Sequence, residues 1–114
     1  MKRSALIAAA ALIATTAIAL SITVASGATS VRVTAKEYKF IFVPQSVRHG
    51  TVTFRITNTG KLKHDLKIAG KKSRAVNPHK TTTLTVTLRK GTYKYICTIP
   101  GHAALGMKGT LVVR

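Results

Sequence analysis

Cysteine occurs once in this 114-residue chain, at Cys97, and side-chain acid occurs only twice, at Glu37 and Asp65. A lone cysteine rules out an internal disulfide, even in a compartment that would permit one. It leaves a free thiol, an intermolecular bridge or a metal ligand. No stretch beyond the N-terminal apolar run repeats with a sustained helical period, which argues against a helical fold. Internal repeats and linkers are absent, and the length allows one domain at most. No recognisable nucleic-acid-binding motif is present, and nucleic acid is not expected as a partner.

Charge is also missing from Ala5 to Val24, a run of Ala, Leu, Ile, Val and small hydroxyl residues behind Lys2 and Arg3. Ser26-Gly27-Ala28 then offers the small residues that a signal peptidase prefers. Residues 1–28 are read as an export signal, with an uncleaved N-terminal anchor as the alternative, because the run is long enough to span a bilayer. No cysteine follows it, which excludes a lipid-anchored cysteine at that point. The protein is therefore expected outside the cytoplasm, in a periplasm or on the extracellular face of the cytoplasmic membrane. Residues 29–114 remain for the fold, a size at which one small core is marginal. A metal bound only by the folded state would add stability.

Setting aside Lys2 and Arg3 leaves 17 basic residues against Glu37 and Asp65, a net of +15. Such a surface keeps an exported domain soluble. It also suits a polyanionic neighbour, which could be an acidic redox protein, anionic lipid or an acidic wall polymer.

What the mature region does contain is alternation. Val31, Val33 and Ala35 are out of phase with Arg32, Thr34 and Lys36; Val52, Phe54 and Ile56 with Thr51, Thr53, Arg55 and Thr57; Leu84, Val86 and Leu88 with Thr83, Thr85 and Thr87. Tyr93, Tyr95 and Cys97 share a face, as do Leu111 and Val113. Turn residues separate these runs at Pro44, His49-Gly50, Asn58-Thr59-Gly60, Gly70, Asn77-Pro78 and Lys90-Gly91. Short strands at this spacing predict an all-β fold, an antiparallel β-sandwich. In His64-Asp65-Leu66-Lys67-Ile68 the histidine is in register with Leu66 and Ile68 and is predicted to point inward; Cys97 points inward with Tyr93 and Tyr95. His49 and His79 fall in turns and are expected at the surface.

The chemistry is concentrated in Cys97-Thr98-Ile99-Pro100-Gly101-His102-Ala103-Ala104-Leu105-Gly106-Met107. Thiolate, imidazole and thioether at these intervals, with His64 upstream as a second imidazole, are the mixed donor set of a mononuclear copper site that carries electrons. His64, Cys97, His102 and Met107 are the candidate metal ligands, and one copper ion is the expected cofactor. No catalytic residue is expected. From about Val31 to Arg114 the chain resembles the cupredoxins of the plastocyanin and azurin superfamily. The resemblance rests on Glu37-Tyr38-Lys39-Phe40 with Pro44, on Asn58-Thr59-Gly60 ahead of His64, and on the Cys97, His102, Met107 loop ending in Met107-Lys108-Gly109-Thr110-Leu111. The C-x4-H-x4-M loop is longer than the plastocyanin type and closer to rusticyanin-like and auracyanin-like proteins. The resemblance implies a Greek-key β-sandwich and a type 1 copper carrying one electron.

One departure is Asp65, where many members of that family have Asn after the framework histidine. It either ties the ligand loop by accepting from Thr98 or a loop N–H, or points to solvent among lysines. The uncharged segment Ile99–Leu105 around His102 suits an apolar docking patch, with Lys61, Lys63 and Lys108 steering an acidic redox partner. The domain is expected to act as a monomer. Copper handling, as a chaperone or store, is the competing function, but such sites are rich in Met or Cys and this mature region has one of each. Multicopper oxidase chemistry would need further histidine pairs.

Overall fold

Alternating β-branched and threonine residues build a two-layer sandwich in this computed structural model, which describes residues 10–19 and 29–114. The reading of residues 1–28 as a signal or anchor falls largely outside the described residues; Ala10–Ala19 have no regular secondary structure. No described helix is long and apolar enough to cross a membrane.

The strands are β1 (Thr29–Lys36), β2 (Lys39–Val43), β3 (Ser46–Val47), β4 (Gly50–Asn58), β5 (Lys67–Ile68), β6 (Lys71–Lys72), β7 (Thr81–Leu88), β8 (Gly91–Ile96) and β9 (Lys108–Val113). One sheet has the order β2-β1-β4-β7 and the other β3-β9-β8-β5-β6. Inward residues of the first sheet, Val31, Val33, Ala35, Val52, Phe54 and Ile56, meet Ile68, Leu111 and Val113 of the second in one buried core. Their outward neighbours are threonines that pair across strands, Thr53 with Thr85 and Thr57 with Thr81, each at 3.1 Å between hydroxyl oxygens.

The all-β sandwich is as predicted, but its pairing is not antiparallel throughout. β1 lies parallel to β4, and β3 parallel to β9. The cause is the path of the chain. After the β1–β2 hairpin it crosses at Pro44 into the other sheet as β3, then returns as β4 on the free side of β1, which makes β4 run the same way. The predicted strand from His64 is also shorter than expected. Only Lys67–Ile68 is strand, and His64 forms an isolated bridge with Val76.

Two poles result. At one, β1 ends at Lys36, β4 ends at Asn58 beside Ala35, and β8 leads into Cys97. At the other, β1 begins at Thr29 beside Val52, Gly50 pairs with Leu88, and Gly91 pairs with Val113. The predicted ligands lie at the first pole.

Candidate metal centre

His64 is fixed by its bridge to Val76, Cys97 follows the end of β8, and His102 lies in the loop between β8 and β9. Main-chain bonds to Val76 in both directions, 3.2 Å from the His64 N–H and 2.6 Å into the His64 carbonyl, set the His64 backbone. Asn58 secures that bridge. Its buried amide donates to the Val76 carbonyl at 2.8 Å and to the Leu62 carbonyl at 2.7 Å, and its oxygen accepts from the Gly60 N–H at 2.8 Å. On the other side the loop closes on itself. The Cys97 N–H donates to the Met107 carbonyl at 3.0 Å, and the Met107 N–H to the His102 carbonyl at 3.1 Å.

These supports gather His64, Cys97 and His102, all buried, into one cluster. The two histidine Nδ1 atoms are 3.2 Å apart, and Cys97 Sγ lies 3.6 Å from that of His102 and 4.0 Å from that of His64. A triangle with these edges has its centre about 2.1 Å from every corner, matching metal–imidazole bonds of about 2.0–2.1 Å and close to metal–thiolate bonds of about 2.3 Å. Two imidazole nitrogens and a cysteine sulfur this close together would suit a site of His₂Cys composition. Met107 is fully buried in the same loop, tied by its backbone to both Cys97 and His102. The donor set fits a single type 1 copper ion.

Two carboxylates surround the centre. Glu37 Oε1 accepts from His64 Nε2 at 3.0 Å and from the Lys61 and Leu62 N–H groups at 2.8 and 2.7 Å. With its proton on Nε2, His64 presents the Nδ1 lone pair to the cluster, which is how an outer carboxylate fixes a ligand's tautomer. The Leu62 N–H, the largest contribution, and then its other donors hold the Glu37 carboxyl down, from 4.5 to about 2. A Cβ at Gly60 would overlap the Glu37 carboxylate, which would have to shift from its donors to make room. Asp65 is buried and accepts from the Thr98 N–H at 2.6 Å and from the Thr98 hydroxyl. It therefore ties the two ligand segments together, and the alternative of a solvent-facing side chain is not what is found. Burial pushes the Cys97 thiol up from its ordinary value.

The sequence pattern marks Asn58 as a turn residue and Glu37 as one of two acids, and assigns neither a place at the metal centre. The usable signal was scarcity: with two acids in the chain, each has a strong claim on a cationic or N–H-rich site. Tyr38 was likewise without a role; its ring meets that of His102 edge-on at 5.2 Å. His49 and His79 are exposed, as expected, and stand apart from the cluster.

Comparison with known proteins agrees with this geometry. The model of the Cupredoxin-like domain family matches residues 4–113. Among solved structures, auracyanin A from Chloroflexus aurantiacus, a "blue" copper protein, is 26% identical, with a TM-score of 0.65 over 77% of this chain and 100% of that one. A dithionite-reduced auracyanin from Roseiflexus castenholzii is 25% identical, with a TM-score of 0.62 over 77% and 99%. A blue copper oxidase from Nitrosomonas europaea, at 19% identity and a TM-score of 0.60, shares the fold over 77% of this chain and 39% of its own. No curated protein sequence matches. With nearly its whole length matched, and with a His₂Cys triangle sized for one metal ion, the chain belongs to the Cupredoxin-like domain family.

Proposed function

We propose that this protein is an exported one-electron carrier in which His64, Cys97, His102 and Met107 hold a type 1 copper ion. The observation that carries the reading is the triangle of His64 Nδ1, His102 Nδ1 and Cys97 Sγ, with edges of 3.2, 3.6 and 4.0 Å. Copper held there supplies a one-electron couple that no side chain of the protein has. The chain's contribution is rigidity. Glu37 orients His64, Asp65 clamps Thr98 next to Cys97, and main-chain bonds fix Met107, so that donor positions change little between oxidation states. The charge of Asp65 favours the more positive metal ion. Four protein donors leave no position for a substrate, and the protein acts as a carrier rather than an enzyme.

His102 is 7% exposed and sits under the Ile99–Leu105 segment, where Leu105 is 61% exposed; Leu62, near the other side of the pole, is 44% exposed. This apolar cap around the one ligand that reaches the surface is the docking patch for a redox partner. Exposed Lys61, Lys63 and Lys108 steer an acidic one toward it.

The test is to add one equivalent of Cu(II) to residues 29–114 and record the visible spectrum. An intense thiolate-to-copper band that bleaches on reduction and returns on oxidation is expected. A colourless protein, or loss of copper on reduction, would instead favour copper handling.

A further inference from the structure

We propose that the pole opposite the metal centre is an anionic-lipid-binding surface, which seats the sandwich on a membrane with its metal centre facing away. Five basic residues converge there from three separate turns: Arg48 and His49 before β4, Arg89 and Lys90 between β7 and β8, and Arg114 after β9. The turns are tied into one rim. The His49 N–H donates to the Arg114 carbonyl at 2.7 Å and His49 Nδ1 lies 3.0 Å from the same oxygen, while Arg114 N–H donates to the Val47 carbonyl at 2.9 Å. Arg48, His49, Lys90 and Arg114 line a recess of about 290 Å³, roughly the liquid volume of ten waters and enough for a hydrated phosphodiester.

No side-chain carboxylate offsets this charge. The chain has only Glu37 and Asp65, and both are hydrogen-bonded at the metal pole. A cationic rim with no acidic side chain of its own attracts anionic headgroups, with each Lys or Arg near the surface contributing about 1 kcal/mol.

Connectivity selects a membrane over an acidic protein. The uncharged run Ala5–Val24 joins β1 at Thr29 through residues 25–28. Those four residues reach at most about 14 Å. Whatever takes up the run therefore lies beside this pole. An acidic redox protein docked here would sit the length of β1 from the metal centre, about 26 Å at about 3.3 Å per residue. The inference uses the alternative reading of residues 1–28, an uncleaved anchor, only to place a membrane nearby, and it is tested without them.

Among the described residues, 29–114 contain all nine strands and the whole buried core, so this domain is expected to fold without the preceding segment. Copper-loaded domain is sedimented with vesicles of zwitterionic phosphatidylcholine and with vesicles in which one third of the headgroups are phosphatidylglycerol. Binding is expected only to the second. The variant R48Q/K90Q should weaken it by about fivefold per lost cation. The variant K36Q/K39Q, with the same charge loss at the metal pole, should change it less than twofold. Equal losses in the two variants, or no preference for anionic vesicles, would overturn the proposal. So would displacement by inorganic phosphate at the lipid phosphate concentration, which would make the recess a free-phosphate site. Preferential displacement by polyglutamate would assign the pole to an acidic protein and overturn it as well. Far-ultraviolet circular dichroism of the same samples shows whether each variant is folded with or without copper, and keeps this result separate from that of the electron-carrier reading.

Discussion

Glu37 meets three donors at once, and this makes it the residue on which the metal centre most depends outside the four proposed ligands. Two backbone N–H groups, from Lys61 and Leu62, fix the carboxylate, and the carboxylate fixes His64. All three donors meet Oε1, so replacing Glu37 with Gln keeps that oxygen but removes the charge and turns the second oxygen into a donor. Losing an outer partner of this kind costs metal affinity by about 10–100-fold, and E37Q is expected to fall in that range when copper is titrated against a competing chelator. The pH dependence has a definite sign. The carboxyl is lowered from 4.5 to about 2 in the folded protein, so its contribution is fully present above pH 4.5 and is lost as pH falls through 2. Urea midpoints of the copper-free wild type and E37Q should therefore converge between those values. A gap that stays constant over the range would show that the charge of Glu37 does not stabilise the fold. None of this could be read from local sequence pattern, because Glu37 and His64 are 27 positions apart and meet only when two loops share a pole.

Elements were legible in proportion to their regularity. β1, β4 and β7 alternate over eight or nine residues. Period-two reasoning oriented Val31, Val33, Ala35, Val52, Phe54 and Ile56 correctly because sheet burial is a face property. The parallel pairing of β1 with β4 was not legible, since alternation says which face is buried and nothing about which strand lies alongside. The segment around His64 failed for a different reason. His64 and Leu66 are buried as predicted, but so is Asp65 between them, because that stretch is held by one isolated bridge and by side chains rather than by a continuous ladder. Asn58 is the main example. It spans the end of β4, the Leu62 loop and the Val76 bridge with three hydrogen bonds. The substitution N58A leaves partners without a mate in a buried setting, at a cost of about 1–3 kcal/mol per group that stays unsatisfied. Denaturant unfolding of N58A should show a loss of at least that size, together with faster copper release, since the His64 backbone loses its brace. A normal release rate in a destabilised N58A would show that the Glu37 contact alone positions His64.

Across the whole molecule, charge and metal chemistry are arranged on different principles. His64, Cys97 and His102 are buried together, and each nearby carboxylate accepts from N–H and O–H donors. Outside this cluster, the 17 basic residues within 29–114 have no free acidic side chain to pair with, so their field extends into solvent. A field of this kind acts on the rate of encounter more than on the strength of the final complex. At about 0.01 M salt the screening length is about 30 Å, comparable to the molecule, and at about 0.15 M it falls to about 8 Å. Electron transfer from reduced protein to an acidic partner, followed by stopped flow under second-order conditions, should therefore slow steeply over that range. The lysines nearest the cap should carry more of the effect than those at the opposite pole. The paired variant K61Q/K63Q is expected to flatten the salt dependence, and R48Q/K90Q to leave most of it, because interaction with the distant pole is screened first. A rate that rises with salt would mean that the partner's docking face is itself basic. A rate indifferent to salt would mean that the apolar cap around His102 governs encounter without electrostatic steering.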